Sequence, residues 1–186
     1  MWLHRAAPGA AGHHQQGVRF DRAFPVTVGG FARYRRSQVG PYEEVFASPA
    51  PVVHEGRILM PIAFTAVDSA ASLRGGRANW ALPKEMATFS GWSAAGEDGA
   101  WSVRARVVST GARIPLLGGA RLLQVAGDGS IARSLAWARG MGRAARVDVA
   151  VSGSSLAEWL LPGRHLGLAL ERVTLTVQAP DAVGRV

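Results

Sequence analysis

The chain has no cysteine among its 186 residues. This absence excludes disulfide bonds and metal sites built on thiolates, and it makes the cytoplasm the expected compartment. No apolar run approaches the roughly 20 residues that a membrane-spanning helix needs. The first residues also lack the apolar core of a secretory signal peptide. The sequence therefore predicts a cytoplasmic protein without a membrane span.

The most easily recognised catalytic motifs are also missing. There is no phosphate-binding glycine loop, no dinucleotide fingerprint, no His-Glu-x-x-His and no nucleophile elbow. His13 and His14 are adjacent but have no third ligand at a sensible spacing, so a solvated loop is favoured over a metal site. His4, His54 and His165 are isolated, and surface or capping roles are expected for them. No metal site is predicted.

The net charge of +8 is carried almost entirely by arginine. The arginines are spread from Arg5 to Arg185, and only Arg35 and Arg36 are adjacent. No basic helix and no nucleic-acid motif accompanies them. We therefore interpret the charge as compositional bias, and no nucleic-acid partner is expected.

Length and composition indicate one globular domain over residues 1–186. Hydrophobic residues make up 48% of the chain and charged residues 18%, a balance typical of a chain that buries a core. Residues 1–24 contain Pro8, Gly9 and Gly12, and they are predicted to form a loop-rich N-terminal arm.

Apolar and polar residues alternate through much of the chain, which is the pattern of half-buried strands. The clearest case is 100–108. Further strands are predicted at 24–36 (with a break or bulge at the glycines 29 and 30), 43–47, 57–67, 86–92, 114–125, 143–151 and 173–177.

Two short helices are expected among these strands. Asp68 or Ser69 is predicted to cap the first, over 70–73, and Gly75-Gly76 to end it. Ser155 and Glu158 form a capping-box pattern that predicts the second, over 156–161. The predicted fold is α+β, mainly antiparallel sheet curved into a cone or barrel with two or three short helices.

Lys84 is the only lysine, since the other 20 of the 21 basic residues are arginine. An amine can lose its proton and attack a carbonyl carbon, whereas a guanidinium cannot. Burial beside apolar groups disfavours the charged form of an amine, and Lys84 lies among Trp80, Leu82, Met86 and Phe89. Two interpretations stay open: Lys84 is a reactive amine, or it is the one lysine that an arginine-rich composition has left.

Two further features suit amine chemistry. Glu43 and Glu44 follow the turn at Gly40-Pro41, and Arg77 lies shortly before Lys84. A carboxylate can shuttle the protons of carbinolamine dehydration, and an arginine can hold a substrate carboxylate with two hydrogen bonds. Because a chain of this size offers such a set by chance, these residues alone do not decide the function.

Three segments, taken together, are more specific. They are 40–44 (Gly-Pro-Tyr-Glu-Glu), the apolar strand ending at Val67-Asp68, and 76–84 (Gly-Arg-Ala-Asn-Trp-Ala-Leu-Pro-Lys). In order and spacing they resemble the acetoacetate decarboxylase family. The resemblance covers residues 25 to 110 well and the remainder loosely.

The resemblance implies a curved antiparallel sheet around a Schiff-base lysine, which falls on Lys84. The family's active-site glutamate falls on Glu44, and Arg77 is assigned a structural or substrate-facing role. The implied chemistry is imine formation with a small keto acid, followed by decarboxylation or by aldol condensation and dehydration. No metal or organic cofactor is implied, and a homo-oligomer is expected. The remaining predicted substrate contacts are Tyr42, Trp80 and Glu85.

Position 85 departs from the family's pattern. Decarboxylases of the family resemble Pro-Lys-Lys, and this chain has Glu85 after Lys84. A carboxylate beside the amine would favour its protonated form, so weak or absent decarboxylation is expected. The alternative function is a non-catalytic domain that binds a small molecule on the same fold.

Overall fold

Segments with alternating apolar and polar residues form one large curved sheet. The computed structural model describes residues 1–15, 17 and 19–185. The helices of these residues are a 3₁₀ helix (Ala10–His13), α1 (Ala70–Trp80) and α2 (Ser154–Ala157). The strands are β1 (Trp2–Arg5), β2 (Arg22–Ala23), β3 (Val26–Tyr34), β4 (Tyr42–Ser48), β5 (Val52–His54), β6 (Arg57–Pro61), β7 (Phe64–Val67), β8 (Lys84–Phe89), β9 (Ser93–Gly96), β10 (Ser102–Val125), β11 (Ser130–Ser152), β12 (Gly163–Val177) and β13 (Asp181–Arg185).

The strand pairings close on themselves. In the order β1–β3–β4–β7–β8–β9–β10–β11–β12 each strand pairs with the next, and β12 pairs with β1. All pairs of this ring are antiparallel except β7–β8. Strands β6, β5 and β2 extend the sheet from β10, and β13 extends it from β11, so the ring is not a clean barrel. The predicted α+β class with a curved, mainly antiparallel sheet is confirmed.

Residues 2–5, within the predicted loop-rich arm, form a strand of the sheet. Strand β1 lies between β3 and β12, and Trp2 is buried in the main core. Gly29 faces the Trp2 ring so closely that a Cβ at position 29 would lie 2.5 Å from it. The predicted break at Gly29 and Gly30 is therefore wrong: these glycines continue β3 and make room for large aromatic side chains, Trp2 and Phe46.

Helix α1 connects the parallel strands β7 and β8. Its N-cap is Ser69, whose side chain accepts a hydrogen bond from the backbone N–H of Ser72, and it ends at Ala81 in the left-handed conformation. The helix runs through Gly75 and Gly76, so the prediction that they end it is wrong. A helical glycine costs about 0.5–1 kcal/mol relative to alanine, and packing against the sheet offsets this cost, since Gly76 is buried.

The second half of the chain forms longer strands than predicted. Predicted strands 100–108 and 114–125 are one strand, β10, with register shifts between residues 107 and 109 and between 110 and 113. Strand β12 begins at Gly163 rather than at residue 173. These β-bulges allow one strand to continue through residues 109–113, where the sequence pattern predicts a turn.

Two other boundaries also differ from the predictions. The predicted strand 57–67 is two strands, β6 and β7, because the chain leaves the ladder after Pro61. Helix α2 covers only Ser154–Ala157, and its N-cap is Gly153 without a side-chain hydrogen bond, so the predicted capping box at Ser155 is wrong. None of the helices in the described residues is long and apolar enough to cross a membrane.

The sheet register separates two faces of β4, β7 and β8. Val45, Ala66 and Glu85 lie side by side, and the first two belong to the main core cluster. Successive residues of a strand point to opposite faces. Thr65 and Lys84, which are also register partners, therefore face away from this core and towards α1.

Candidate active site

The side chain of Lys84 is buried between α1 and the sheet. Only 4% of the residue is exposed. Its Nζ donates hydrogen bonds to Glu44 Oε2 at 2.5 Å and to Ser72 Oγ at 3.0 Å. The ring centroid of Tyr42 lies 5.3 Å from Nζ. Strand β8, strand β4 and helix α1 thus each contribute a polar group at the amine.

Glu44 reaches the amine because of the alternation along β4. Its side chain is 12% exposed and forms an ion pair with Lys84. The neighbouring Glu43 points to the other face, where its carboxylate is paired with Arg33. The structure therefore separates the adjacent carboxylates: Glu44 meets the amine and Glu43 does not.

Ser72 and Gly76 are one helical turn apart on α1 and both contact Lys84. Positions i and i+4 of a helix share a face. Ser72 accepts a hydrogen bond from Nζ, and the lysine stem lies on Gly76, where a Cβ would be 2.6 Å from the Lys84 Cδ and Cε. Neither residue is predicted from the sequence as a contact of Lys84, because the predicted helix ends before Gly76. In a helix that includes both residues, the Ser-x-x-x-Gly spacing would have placed them on one face.

A pair of tyrosines lines the site beside Glu44. Tyr34 and Tyr42 are register partners on β3 and β4, and their rings stack at 4.6 Å between centroids. Burial, together with the charge of Glu44, raises the pKa of Tyr42 to about 12, against hydrogen bonds with Ser72 and Tyr34 that act in the opposite direction. Burial and the Glu44 charge also raise the pKa of Tyr34 well above its usual value. Both side chains are neutral phenols at neutral pH. Tyr34 is not predicted from the sequence.

Arg77 fixes the backbone of the lysine rather than its amine. The Arg77 Nε donates a hydrogen bond to the backbone carbonyl of Lys84 at 2.7 Å. This contact joins the last turn of α1 to the first residue of β8. Of the two roles that the sequence predicts for Arg77, the geometry supports the structural one, and a substrate contact stays a prediction.

Trp80 and Glu85 are not brought to the amine. Trp80 Nε1 donates to the backbone carbonyl of Gln178 at 2.8 Å, which directs the indole to the C-terminal segment.

Glu85 lies on the core-facing side of β8. Burial is the main cause that raises the pKa of Glu85, and the charge of Asp98 raises it further. A hydrogen bond with Trp101 and the charge of Arg77 lower this pKa in part. The carboxylate beside the amine is therefore Glu44 and not Glu85. Substrate contacts by Trp80 and Glu85 stay predictions.

The Lys84–Glu44 pair can exchange a proton over one hydrogen bond. Charges buried in a low-dielectric site are costly unless they are paired and hydrogen-bonded. Here Ser72 provides an additional hydrogen-bond partner for the amine. Transfer of one proton from Nζ to Glu44 removes both charges and leaves a neutral amine beside a carboxylic acid. Such a pair contains a nucleophile and a general acid at once.

Two solved structures are similar to this chain in overall architecture. An acetoacetate decarboxylase from Legionella pneumophila is similar in structure, with a TM-score of 0.65 and 13% sequence identity over 99% of this chain and 83% of that chain. A second acetoacetate decarboxylase structure gives a TM-score of 0.62 and 12% identity over 96% of this chain and 85% of that chain.

The chain has the fold of acetoacetate decarboxylase. At these identities the likeness shows the fold alone, and the expectation of that fold from the sequence is confirmed. No protein-family model matches the sequence, and no curated protein matches it.

We expect the two helical glycines of α1 to respond oppositely to alanine. Gly75→Ala adds a methyl group whose closest neighbour is 3.9 Å away, and it should stabilise the protein by about 0.5–1 kcal/mol, as for a glycine in a helix. Gly76→Ala pushes on a lysine stem whose end is anchored by two hydrogen bonds, and it should destabilise by about 1–3 kcal/mol. Urea unfolding of both variants checks this. An equal gain from both would show that Gly76 is not needed for the position of Lys84.

The raised pKa of Glu85 predicts a pH-dependent effect of Glu85→Gln. Because the folded state holds the Glu85 proton more tightly than the unfolded state, wild-type stability falls as the pH rises through the range between the two pKa values. Glutamine cannot ionise and still accepts a hydrogen bond from Trp101. The variant should therefore gain stability relative to wild type at about pH 7 and gain less at about pH 4. Urea unfolding at both pH values tests this, and a larger gain at the lower pH would contradict the assignment.

Proposed function

We propose that the protein is an enzyme that forms a Schiff base between Lys84 and a small keto acid. The observation that carries the proposal is the environment of Lys84 Nζ: a buried amine, the only lysine side chain of the sequence, held by Glu44 and Ser72. The two solved structures that share the fold are acetoacetate decarboxylases by name, which supports lysine–carbonyl chemistry for this chain.

Imine formation uses the carboxylate and the amine in turn. The Lys84 ammonium first gives a proton to Glu44, and the neutral amine then attacks the substrate's carbonyl carbon. The new C–N bond gives a carbinolamine after a proton moves from nitrogen to oxygen. Glu44 returns its proton to the carbinolamine hydroxyl, which leaves as water while the nitrogen lone pair forms the iminium. Ser72 can hold the nitrogen in place during both transfers.

The iminium then serves as an electron sink. In a β-keto acid, the electrons of the bond to the carboxylate carbon move towards the iminium nitrogen, carbon dioxide leaves, and an enamine remains. Protonation of the enamine carbon and hydrolysis release the ketone and restore Lys84. The same iminium can instead lose an adjacent proton, and the resulting enamine can add to an aldehyde in an aldol condensation followed by dehydration. Neither route needs a metal or an organic cofactor.

A second candidate function is non-catalytic binding of a small molecule. The observation that favours it is the ion pair of Lys84 with Glu44, because an ammonium that keeps its proton is not a nucleophile. The fold would then offer a site for an anionic or carbonyl-bearing ligand without a covalent step. Covalent labelling separates the two functions.

Borohydride trapping should place a reduced adduct on Lys84. Incubation with pyruvate or acetoacetate and then borohydride should add the mass of one reduced keto acid, or of its decarboxylated ketone, as seen by intact mass spectrometry and peptide mapping. Lys84→Arg keeps the positive charge but cannot form an imine. This variant should show no side-chain labelling, and any residual signal from the N-terminal amine sets the background.

The controls of this experiment are a thermal unfolding curve for Lys84→Arg and a panel of keto acids. A folded variant without label, next to labelled wild type, supports the enzyme. Wild-type protein that stays unlabelled at position 84 across the whole panel would contradict Schiff-base formation and favour the binding domain.

Glu44→Gln should slow adduct formation by about 10²-fold or more, the usual scale for an acid–base group. Glutamine cannot take the Nζ proton, and it leaves the ammonium buried without a counter-charge. The matched control is Glu43→Gln, which changes the adjacent carboxylate on the other face and should leave the rate near that of wild type. Rates of borohydride-trapped label, normalised to folded protein, check both. Equal slowing by the two variants would contradict the role of Glu44.

A further inference from the structure

Thr65 lies beside Lys84 on the same face of the sheet. The two residues are register partners on the parallel strands β7 and β8, so their side chains leave the sheet on the same face, with the strands about 4.8 Å apart. Thr65 is 1% exposed. Its Oγ1 has no hydrogen-bond partner among the described residues.

A buried hydroxyl without a partner destabilises a folded protein, because it has lost its hydrogen bonds to water. Buried hydroxyl groups are normally paired. Thr27 shows the usual situation: it is fully buried, and its Oγ1 donates to the carbonyl oxygen of Pro49 at 2.7 Å. The Thr65 hydroxyl has no such contact within the described residues and is therefore free to donate a hydrogen bond to a ligand.

A keto acid bound at Nζ would need a hydrogen-bond donor for its oxygens. An ionised carboxylate such as Glu44 only accepts hydrogen bonds. The oxygens of a keto acid attached to Nζ are acceptors as well, so they need a donor close to the lysine. Ser72 accepts a hydrogen bond from Nζ, and its hydroxyl is also hydrogen-bonded to Tyr42. The Thr65 hydroxyl is a donor without a partner, one strand away from Lys84 on the same face.

We propose that Thr65 Oγ1 donates a hydrogen bond to a carboxylate or carbonyl oxygen of the keto acid bound at Lys84. The proposal rests on the proposed Schiff-base function and adds a substrate-binding residue to it. A neutral hydroxyl orients the oxygen without holding it as strongly as a guanidinium would. The substrate class that this contact suits is an oxo acid in which a carbon that carries an oxygen lies close to the imine carbon.

Thr65→Val tests the proposal because valine keeps the shape and removes the hydroxyl. The variant should unfold at a higher urea concentration than wild type, since no buried hydroxyl is left unpaired. It should also form the borohydride-trapped keto-acid adduct about five- to tenfold more slowly, the scale of one hydrogen bond. Thr65→Ser keeps the hydroxyl and should retain a rate near wild type.

The matched control is the same substitution at Thr27, on β3. Thr27→Val removes a paired hydroxyl, so it should lower stability and leave the rate of adduct formation of the folded protein unchanged. The proposal predicts opposite stability effects from the two valines and slower labelling only at position 65.

The failures of the two proposals differ. If wild type and Thr65→Val label at the same rate, the Thr65 contact is wrong and the Schiff-base function stands. If Thr65→Ser is as slow as Thr65→Val, side-chain packing and not the hydroxyl matters, and the proposal is overturned. If wild type is never labelled at Lys84, the proposed function falls and the Thr65 contact falls with it.

Discussion

The candidate site depends on one buried interaction, the hydrogen-bonded ion pair between Lys84 and Glu44. Removing one partner of a buried pair typically costs about 3–5 kcal/mol, because a charge is left uncompensated. A pair of this kind is weak support for stability by itself, since apolar residues could fill the same space at no loss. Its presence at the only lysine of the sequence is the observation from which we propose chemistry at the amine.

The fold holds this pair through the β7–α1–β8 crossover. The parallel connection places Lys84 at the first position of β8, shortly after the end of α1 at Trp80. Arg77 ties the backbone of Lys84 to the helix, and Gly76 lets the lysine stem lie against it. The same helix contributes Ser72 to Nζ. One local unit therefore positions the amine, while β4 brings the carboxylate from 40 residues earlier in the chain.

The order and spacing of short sequence segments predict the curved sheet, which the structure confirms. They also single out Lys84 and Glu44, whose side chains are in contact, while their roles in chemistry stay predictions. Sequence order was not enough for Tyr34 and Thr65, which reach the site only through strand register. Gly75-Gly76 was misjudged because local propensity argues for a helix end, and the packing that overrides it is tertiary. Trp2 lies in a segment with few strand signals, and its burial depends on Gly29, far away in sequence.

The most direct test uses the single lysine as a spectroscopic probe. Protein labelled with ¹⁵N at lysine Nζ gives one side-chain amine signal by NMR, since Lys84 is the only source. On addition of a keto acid, Schiff-base formation should replace this signal with that of an iminium or enamine nitrogen, and Glu44→Gln should slow the replacement. An Nζ signal that shows only an unmodified ammonium under saturating keto acid, for every compound tried, would contradict Schiff-base formation at Lys84.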